Sequence, residues 1–222
     1  GVISQFEGYE RRAELGWEDS RARYGDISRL GRILEAEGDT PNRYRVSKQA
    51  DVLMLLYLLP PAQVEEILAH LGYDVDDGLL LRTVEYYLAR TSHGSTLSRV
   101  VHSWILARVD RRQSWRLFVE ALESDVSDVQ GGATGEGIHL GAMAGTIDLL
   151  ERGYSGIEPR GDVLHFDPAL PEELGRLSFP VHYRGHRLAA TVTHDELTVE
   201  TRPGDVAPVR VSCRRTEAEV EP

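Results

Sequence analysis

The chain has 222 residues and a formal charge of −11. That length allows one large domain or one domain with a small second one, and the charge excludes a general binder of nucleic acid or acidic membrane while leaving room for a local cationic pocket. A single cysteine, Cys213, excludes an internal disulfide framework. The longest apolar run, Val52 to Leu59, is too short to span a bilayer, and no N-terminal signal pattern is present; the expectation is a cytoplasmic protein. The chain opens at Gly1 without a Met, in dense sequence, which suggests a fragment or a processed chain. Lys48 is the only lysine against many arginines, a hint that an ammonium is needed there.

Helical patterning predicts the first elements. Asp26 to Glu37 carries an apolar stripe at 27, 30, 33 and 34, with Asp26 as an N-cap and Gly38 as a stop. Lys48 to Leu59 is apolar on nearly every side and is expected to be a fully buried helix ended by Pro60-Pro61. Pro61 opens the next helix, which stops at Gly72. Further helices are expected over Leu79–Arg90, Thr96–Val109, Gln113–Ser124 and Leu140–Arg152.

Polar motifs precede three of these helices, at Gln49, His93 and His139, at intervals of 44 and 46 residues. Such an interval holds one helix pair of a solenoid or a closed toroid, in which loops of one kind gather at one end. The three motifs should therefore converge on one site.

After Pro159 the pattern changes to period two. Leu177–Tyr183, Leu188–Thr193, Leu197–Thr201 and Val209–Cys213 read as strands, with hairpin turns at Arg184-Gly185 and His194-Asp195. The acidic tail 216–222 is expected to be disordered. The fold class is mainly α: a helical domain over 1–155, then a small antiparallel β-sheet domain over 156–215.

Three segments could carry chemistry. Arg45-Val-Ser-Lys48-Gln49-Ala-Asp51 puts an ammonium and an amide at a helix start, where free N–H groups and the helix dipole favour an anion. Read alone, a cap with a solvated lysine is the commoner arrangement. Thr91-Ser-His93-Gly94-Ser95-Thr96-Leu-Ser98 is a small-residue loop feeding a helix. Gly94 permits close backbone approach, Ser95, Thr96 and Ser98 offer hydroxyls, and His93 an imidazole N–H: a chemically sensible phosphate cradle, or again a Ser/Thr cap. No nucleophile elbow accompanies it. Gly131-Gly-Ala-Thr-Gly-Glu136-Gly-Ile-His139 lacks the Lys-Ser/Thr of a P-loop and the third glycine of a dinucleotide fingerprint. Glu136 is a candidate catalytic carboxylate, although acids are common in a helix first turn. The eight histidines are scattered without His-Glu-x-x-His spacing, so no metal is expected.

Together GVISQFEGYE, RYRVSKQADVLMLLYLL, YYLARTSHGSTLSRVVHSWILA, DVQGGATGEGIHLGAMAGTIDLLERGYSG and LHFDPALPEELGRLSFPVHYRGHRL resemble glycoside hydrolase family 65. The resemblance covers nearly the whole chain, in the family's motif order. It implies the later helices of an (α/α)6 barrel, then the family's C-terminal β domain. It places the general-acid glutamate upstream of Gly1, so no catalytic residue is assigned in this chain and the fragment alone is expected to be inactive. Phosphate would be held by His93, Gly94, Ser95, Thr96 and Ser98, with Thr96 replacing the commoner serine. Lys48 and Gln49 match the pair bordering phosphate and donor sugar. The implied reaction is inverting phosphorolysis of an α-linked glucose disaccharide to β-glucose 1-phosphate, with inorganic phosphate as co-substrate and no cofactor. The alternatives are an inverting α-glucoside hydrolase using Glu136, or a non-catalytic fragment serving assembly. The uncovered apolar face of half a toroid implies a homo-oligomer.

Overall fold

A computed structural model describes residues 1–128, 135, 137–203, 207–214 and 216–221. The helices, in chain order, are α1 (Trp17–Tyr24), α2 (Leu30–Ala36), α3 (Met54–Leu58), α4 (Pro61–His70), α5 (Leu79–Leu88), α6 (Thr96–Leu106), α7 (Arg111–Glu123) and α8 (Leu140–Asp148), the last running into a π-helical turn, Leu149–Tyr154. None of the described helices is long and apolar enough to cross a membrane.

Local chemistry explains most boundaries. Asp110 caps α7 by accepting the Gln113 N–H at 3.0 Å. Pro61 occupies the first turn of α4, where its missing N–H is harmless. Gly38 and Gly72, both at positive φ, end α2 and α4 as left-handed caps. Asp26 binds the Ser28 N–H and hydroxyl at 2.8 and 3.0 Å, but α2 itself starts only at Leu30. Helix α1 carries almost no apolar stripe and buries no residue, so the periodicity of its sequence did not disclose it.

One helix differs sharply from expectation. The segment expected as a buried helix over Lys48–Leu59 is helical only over Met54–Leu58, and Leu58 is 65% exposed. Its first residues are committed elsewhere: the Ser47 N–H donates to the Arg90 carbonyl, and the Ser92 and Gly94 N–H groups donate to the Ser47 and Lys48 carbonyls, at 2.8 to 2.9 Å. A backbone paired sideways with a neighbouring strand-like segment cannot also close helical turns. The apolar residues released from the helix still find a core. Ala50, Val52 and Leu53 pack with Tyr9, Val84, Tyr87, Val101 and Ile105.

The chain then turns at Gly156 (φ +64) into strands β1 (Glu158–Arg160), β2 (Val163–Phe166), β3 (Arg176–Tyr183), β4 (His186–Thr193), β5 (Leu197–Thr201), β6 (Val209–Cys213) and β7 (Thr216–Val220). The expected single antiparallel sheet is corrected to two. Strands β3-β4-β5 form an antiparallel meander, whereas β1-β2-β6-β7 form a mixed sheet in which β2 and β6 are parallel. The parallel pairing is possible because the whole meander lies between β2 and β6 as the crossover. Arg184 and Gly185 both have positive φ, the backbone of a tight two-residue hairpin.

The tail expected to be disordered is corrected as well. Thr216–Val220 pairs antiparallel with β6, Ala218 opposite Val211 and Val220 opposite Val209. Its acids are spaced by two, so Glu217 falls on one side of the strand and forms an ion pair with Arg210 at 3.2 Å. A count of acids along the tail misses that alternation. The largest core joins the two halves of the chain: Phe118, Leu149 and Tyr154 from the helices meet Leu164, Phe166, Phe179, Leu188, Val192 and Val211 from the sheets. Each such side chain contributes about 1.5–3 kcal/mol on burial.

Candidate functional site

The pairing of residues 47–48 with 92–94 sets the site. It places the Lys48-Gln49 turn against the entry to α6, and both face a cavity of about 720 Å³. Lys48, Gln49, Asp51, Gly94, Ser95, Thr96 and His139 all line it. The three polar motifs separated by intervals of 44 and 46 residues therefore reach one space. Glu136, the candidate carboxylate of the third motif, lies outside the described residues.

Gly94 is required by contact. A Cβ there would stand 2.7 Å from the Ser28 carbonyl oxygen and 3.0 Å from Lys48 Cγ. The backbone amide of this residue therefore reaches closer to the cavity wall than any other residue type would permit. The preceding residue, His93, sits at φ +54, a left-handed conformation that is uncommon outside glycine, though histidine tolerates it better than most. That bend turns the chain from its pairing with Ser47 into the first turn of α6. Helix α6 spans 11 residues; its Ser98 N–H donates to the Ser95 carbonyl at 3.1 Å, while the Thr96 and Leu97 amides ahead of it have no acceptor within the helix. They point, with the positive end of the dipole, toward the same wall as Lys48.

His93 and Ser98 occupy a different place from Ser95 and Thr96. Neither lines the cavity. Ser98 is 1% exposed, and its Oγ is 3.1 Å from His93 Nδ1 and 3.4 Å from His102 Nδ1. His102, fully buried, has Nδ1 2.7 Å from the Ser98 carbonyl. A carbonyl can only accept, so His102 carries its proton on Nδ1. The Ser98 hydroxyl and His93 Nδ1 share a hydrogen bond at 3.1 Å. Burial pushes His93 down to about 3 and His102 down to about 4, the neighbouring imidazole adding to the shift at His93. Both rings, 4.6 Å apart in an edge-to-face arrangement, are neutral at physiological pH. His93, half-buried, and the buried Ser98 and His102 thus form a contiguous cluster beside the Gly94–Thr96 loop.

His139 is oriented by Asp125, whose carboxylate accepts from the His139 backbone N–H at 2.8 Å and lies 2.5 Å from Nδ1. That bond and its charge hold the Asp125 carboxyl below the usual range. Among the described residues no cluster of His, Cys, Asp and Glu is placed to hold a metal.

Three arginines that the sequence alone did not single out also line the cavity: Arg12, Arg29 and Arg32. Arg29 immediately precedes α2 and Arg32 lies in its first turn, where Leu30 and Leu34 are the buried residues. That spacing was a readable signal, but a chain rich in arginine offers many such pairs. The cavity's described carboxylates are Glu35 and Asp51; the latter accepts the Gln5 side-chain amide at 2.8 Å.

Comparison with known proteins agrees with this layout. The model of the glycosyl hydrolase family 65 central catalytic domain matches residues 1–148, and that of the family's C-terminal domain matches residues 157–220. An uncharacterized glycosyl hydrolase of Mycobacterium tuberculosis is 56% identical over 96% of this chain, which covers 16% of that protein. The trehalose 6-phosphate phosphorylase of Lactococcus lactis is 36% identical over 89% of the chain and 26% of its own length. The kojibiose phosphorylase of Caldanaerobacter subterraneus is 32% identical over 91% of the chain and 24% of its own length. A solved structure from the human microbiome, described as a kojibiose phosphorylase, superposes over 98% of this chain and 28% of its own, with a TM-score of 0.75 at 22% identity. The chain thus spans between 16% and 26% of the length of these curated relatives.

Proposed function

We propose, since this chain belongs to glycosyl hydrolase family 65 and its relatives include disaccharide phosphorylases, that it is the C-terminal part of an enzyme that cleaves an α-linked glucose disaccharide with inorganic phosphate. In this reading α1–α8 are the later helices of an (α/α)6 barrel, and the cavity at their loop end is the phosphate side of its active centre. One observation carries the reading: the only lysine of the chain and the first turn of α6 face the same space, brought together by the bond from the Gly94 N–H to the Lys48 carbonyl.

The chemistry follows from that placement. A phosphate dianion seated at the α6 amides accepts from the Gly94 loop, from the Ser95 and Thr96 hydroxyls and from the Lys48 ammonium. Gln49 borders the sugar. Ser98 and His102 act through His93: they pack against its ring and support its bend, and so the loop that follows it. A phosphate oxygen attacks the anomeric carbon from the face opposite the departing sugar. The C–O bond to phosphate forms as the glycosidic bond breaks, and the configuration inverts to β-glucose 1-phosphate. The proton taken by the leaving oxygen comes from a carboxylic acid assigned to the portion of the enzyme outside this chain. No cofactor enters the step.

A hydrolytic reading rests on Asp51 and Glu35, which line the same cavity and offer a carboxylate to activate water. The two are separated by assaying the full-length enzyme on kojibiose, trehalose, maltose and nigerose with and without phosphate. Phosphorolysis requires that sugar release stop without phosphate and that β-glucose 1-phosphate appear with it. Lys48→Met should raise the KM for phosphate by about 10- to 100-fold, the range expected for a lost charge-assisted bond. Release at an equal rate without phosphate, abolished by Asp51→Asn, would establish the hydrolase instead. Leu58, Leu71, Leu81 and Val109 stand exposed on the helical part, which supports the proposal that the chain associates, with other parts of its enzyme or a second copy.

A further inference from the structure

The cavity holds more positive charge than one phosphate needs. In a chain of formal charge −11, Arg12, Arg29, Arg32 and Lys48 line it against only Glu35 and Asp51 among the described residues. Lys48 belongs to the α6 end of the space. The arginines come from other elements: Arg12 follows the short turn Tyr9–Arg11, and Arg29 and Arg32 lie at the start of α2. Cationic side chains around one cavity raise its positive potential and favour an anion there.

Their presentation suits a ligand. Neither Arg12 nor Arg32 takes part in an ion pair among the described residues, whereas Arg43 and Arg45, nearby in sequence, are paired with Asp39 and Glu14. The Arg12 guanidinium lies over the Phe6 ring at 4.6 Å, and Phe6 lines the same cavity. Stacking of that kind fixes the plane of the guanidinium while leaving its N–H donors unspent. Arg29, the residue before α2, and Arg32, in its first turn, both line the cavity. A planar guanidinium fork recognises phosphate oxygens in pairs, which a single ammonium does not do.

Resting on the phosphorylase reading, we infer that the cavity seats a second anionic group, and that the sugar released by phosphorolysis is itself a sugar phosphate whose phosphoryl group is gripped by Arg12 and Arg32, with Arg29 beside them. The volume of about 720 Å³ accommodates a substrate of disaccharide size together with two anions.

The test uses the full-length enzyme in the synthetic direction, with β-glucose 1-phosphate as donor and either glucose or glucose 6-phosphate as acceptor. The expected result is a kcat/KM at least 100-fold higher for glucose 6-phosphate. In Arg12→Gln and Arg32→Gln that ratio should fall at least tenfold each, through the KM of the phosphorylated acceptor. Lys48→Met should instead raise the KM for inorganic phosphate in the reverse direction. Equal or better use of glucose overturns the inference and leaves the phosphorylase reading standing, as does a loss in the arginine variants that is the same for both acceptors. If neither acceptor reacts and no disaccharide is split with phosphate, the phosphorylase reading has failed, and calorimetry decides the site alone: glucose 6-phosphate binding weakened at least tenfold by Arg32→Gln sustains it, and binding that is absent or unchanged by the variant overturns it. Arg32 is exposed, so its replacement leaves the core untouched.

Discussion

Replacing Gly94 by Ala tests the geometry on which the site depends. The new methyl carbon would lie 2.7 Å from the Ser28 carbonyl oxygen and 3.0 Å from Lys48 Cγ. Relaxed contacts begin near 3.5 Å, so the loop must part from residue 28 by roughly 0.8 Å. The lysine stem can swing aside; the carbonyl belongs to Ser28, whose backbone N–H and hydroxyl both donate to the Asp26 carboxylate. Most of the displacement therefore falls on the Gly94–Thr96 loop itself. Overpacking of this kind costs about 1–3 kcal/mol of stability. A shift approaching 1 Å in a positioning group costs on the order of 100-fold in rate. Steady-state phosphorolysis by the full-length enzyme should show kcat/KM for phosphate reduced 10- to 100-fold, while thermal unfolding moves by only a few degrees. Wild-type kinetics in a folded Gly94→Ala enzyme would refute the claim that this close approach positions the loop.

Other positions test the frame around the site. Gly156→Ala combines a positive φ (+64) with a Cβ running into the Asp167 carbonyl and 2.6 Å from the Arg108 guanidinium, at the turn between helices and sheets; urea unfolding should show a loss of about 2 kcal/mol or more, and an unchanged midpoint would contradict the strain. Tyr154→Phe leaves the buried Ser114 hydroxyl without its 3.0 Å partner and should cost about 1 kcal/mol by the same measurement, because Ser114 keeps its bond to the Ser103 carbonyl at 2.7 Å. Acid should destabilise the molecule through its buried imidazoles: both pKa values are depressed, to about 3 and about 4, so the unfolded chain binds more protons below its ordinary histidine pKa. Stability is intact above about pH 6.5 and falls by up to about 1.4 kcal/mol per pH unit for each ring as pH drops toward 4. His102→Gln should flatten that slope in urea titrations between pH 7 and pH 5; a slope equal to that of the unsubstituted protein means His102 is not neutral in the fold.

Short-range chemistry was legible in the residues themselves. The stops at Gly38 and Gly72, the helix start at Pro61, the hairpin at Arg184-Gly185, and the change from period 3.6 to period two near Pro159 all act over a few residues, so the sequence alone determines them. The even spacing of Gln49, His93 and His139 likewise announced that three loops would meet, because equal helix pairs return the chain to the same end. Other features came from partners far along the chain. The helix expected from Lys48 starts only at Met54, after the Ser47–Lys48 backbone has paired with residues 90–94. Ser98, a phosphate ligand by residue type, turned inward, where its hydroxyl lies 3.1 Å from His93 Nδ1 and 3.4 Å from His102 Nδ1. Arg12 and Arg32 reached the cavity wall through the packing of α2 and the first turn, and Thr216–Val220 became a strand because β6 offered an unpaired edge. Local propensity acts between neighbours in sequence; which long-range hydrogen bonds outcompete it is decided only when the chain has closed on itself.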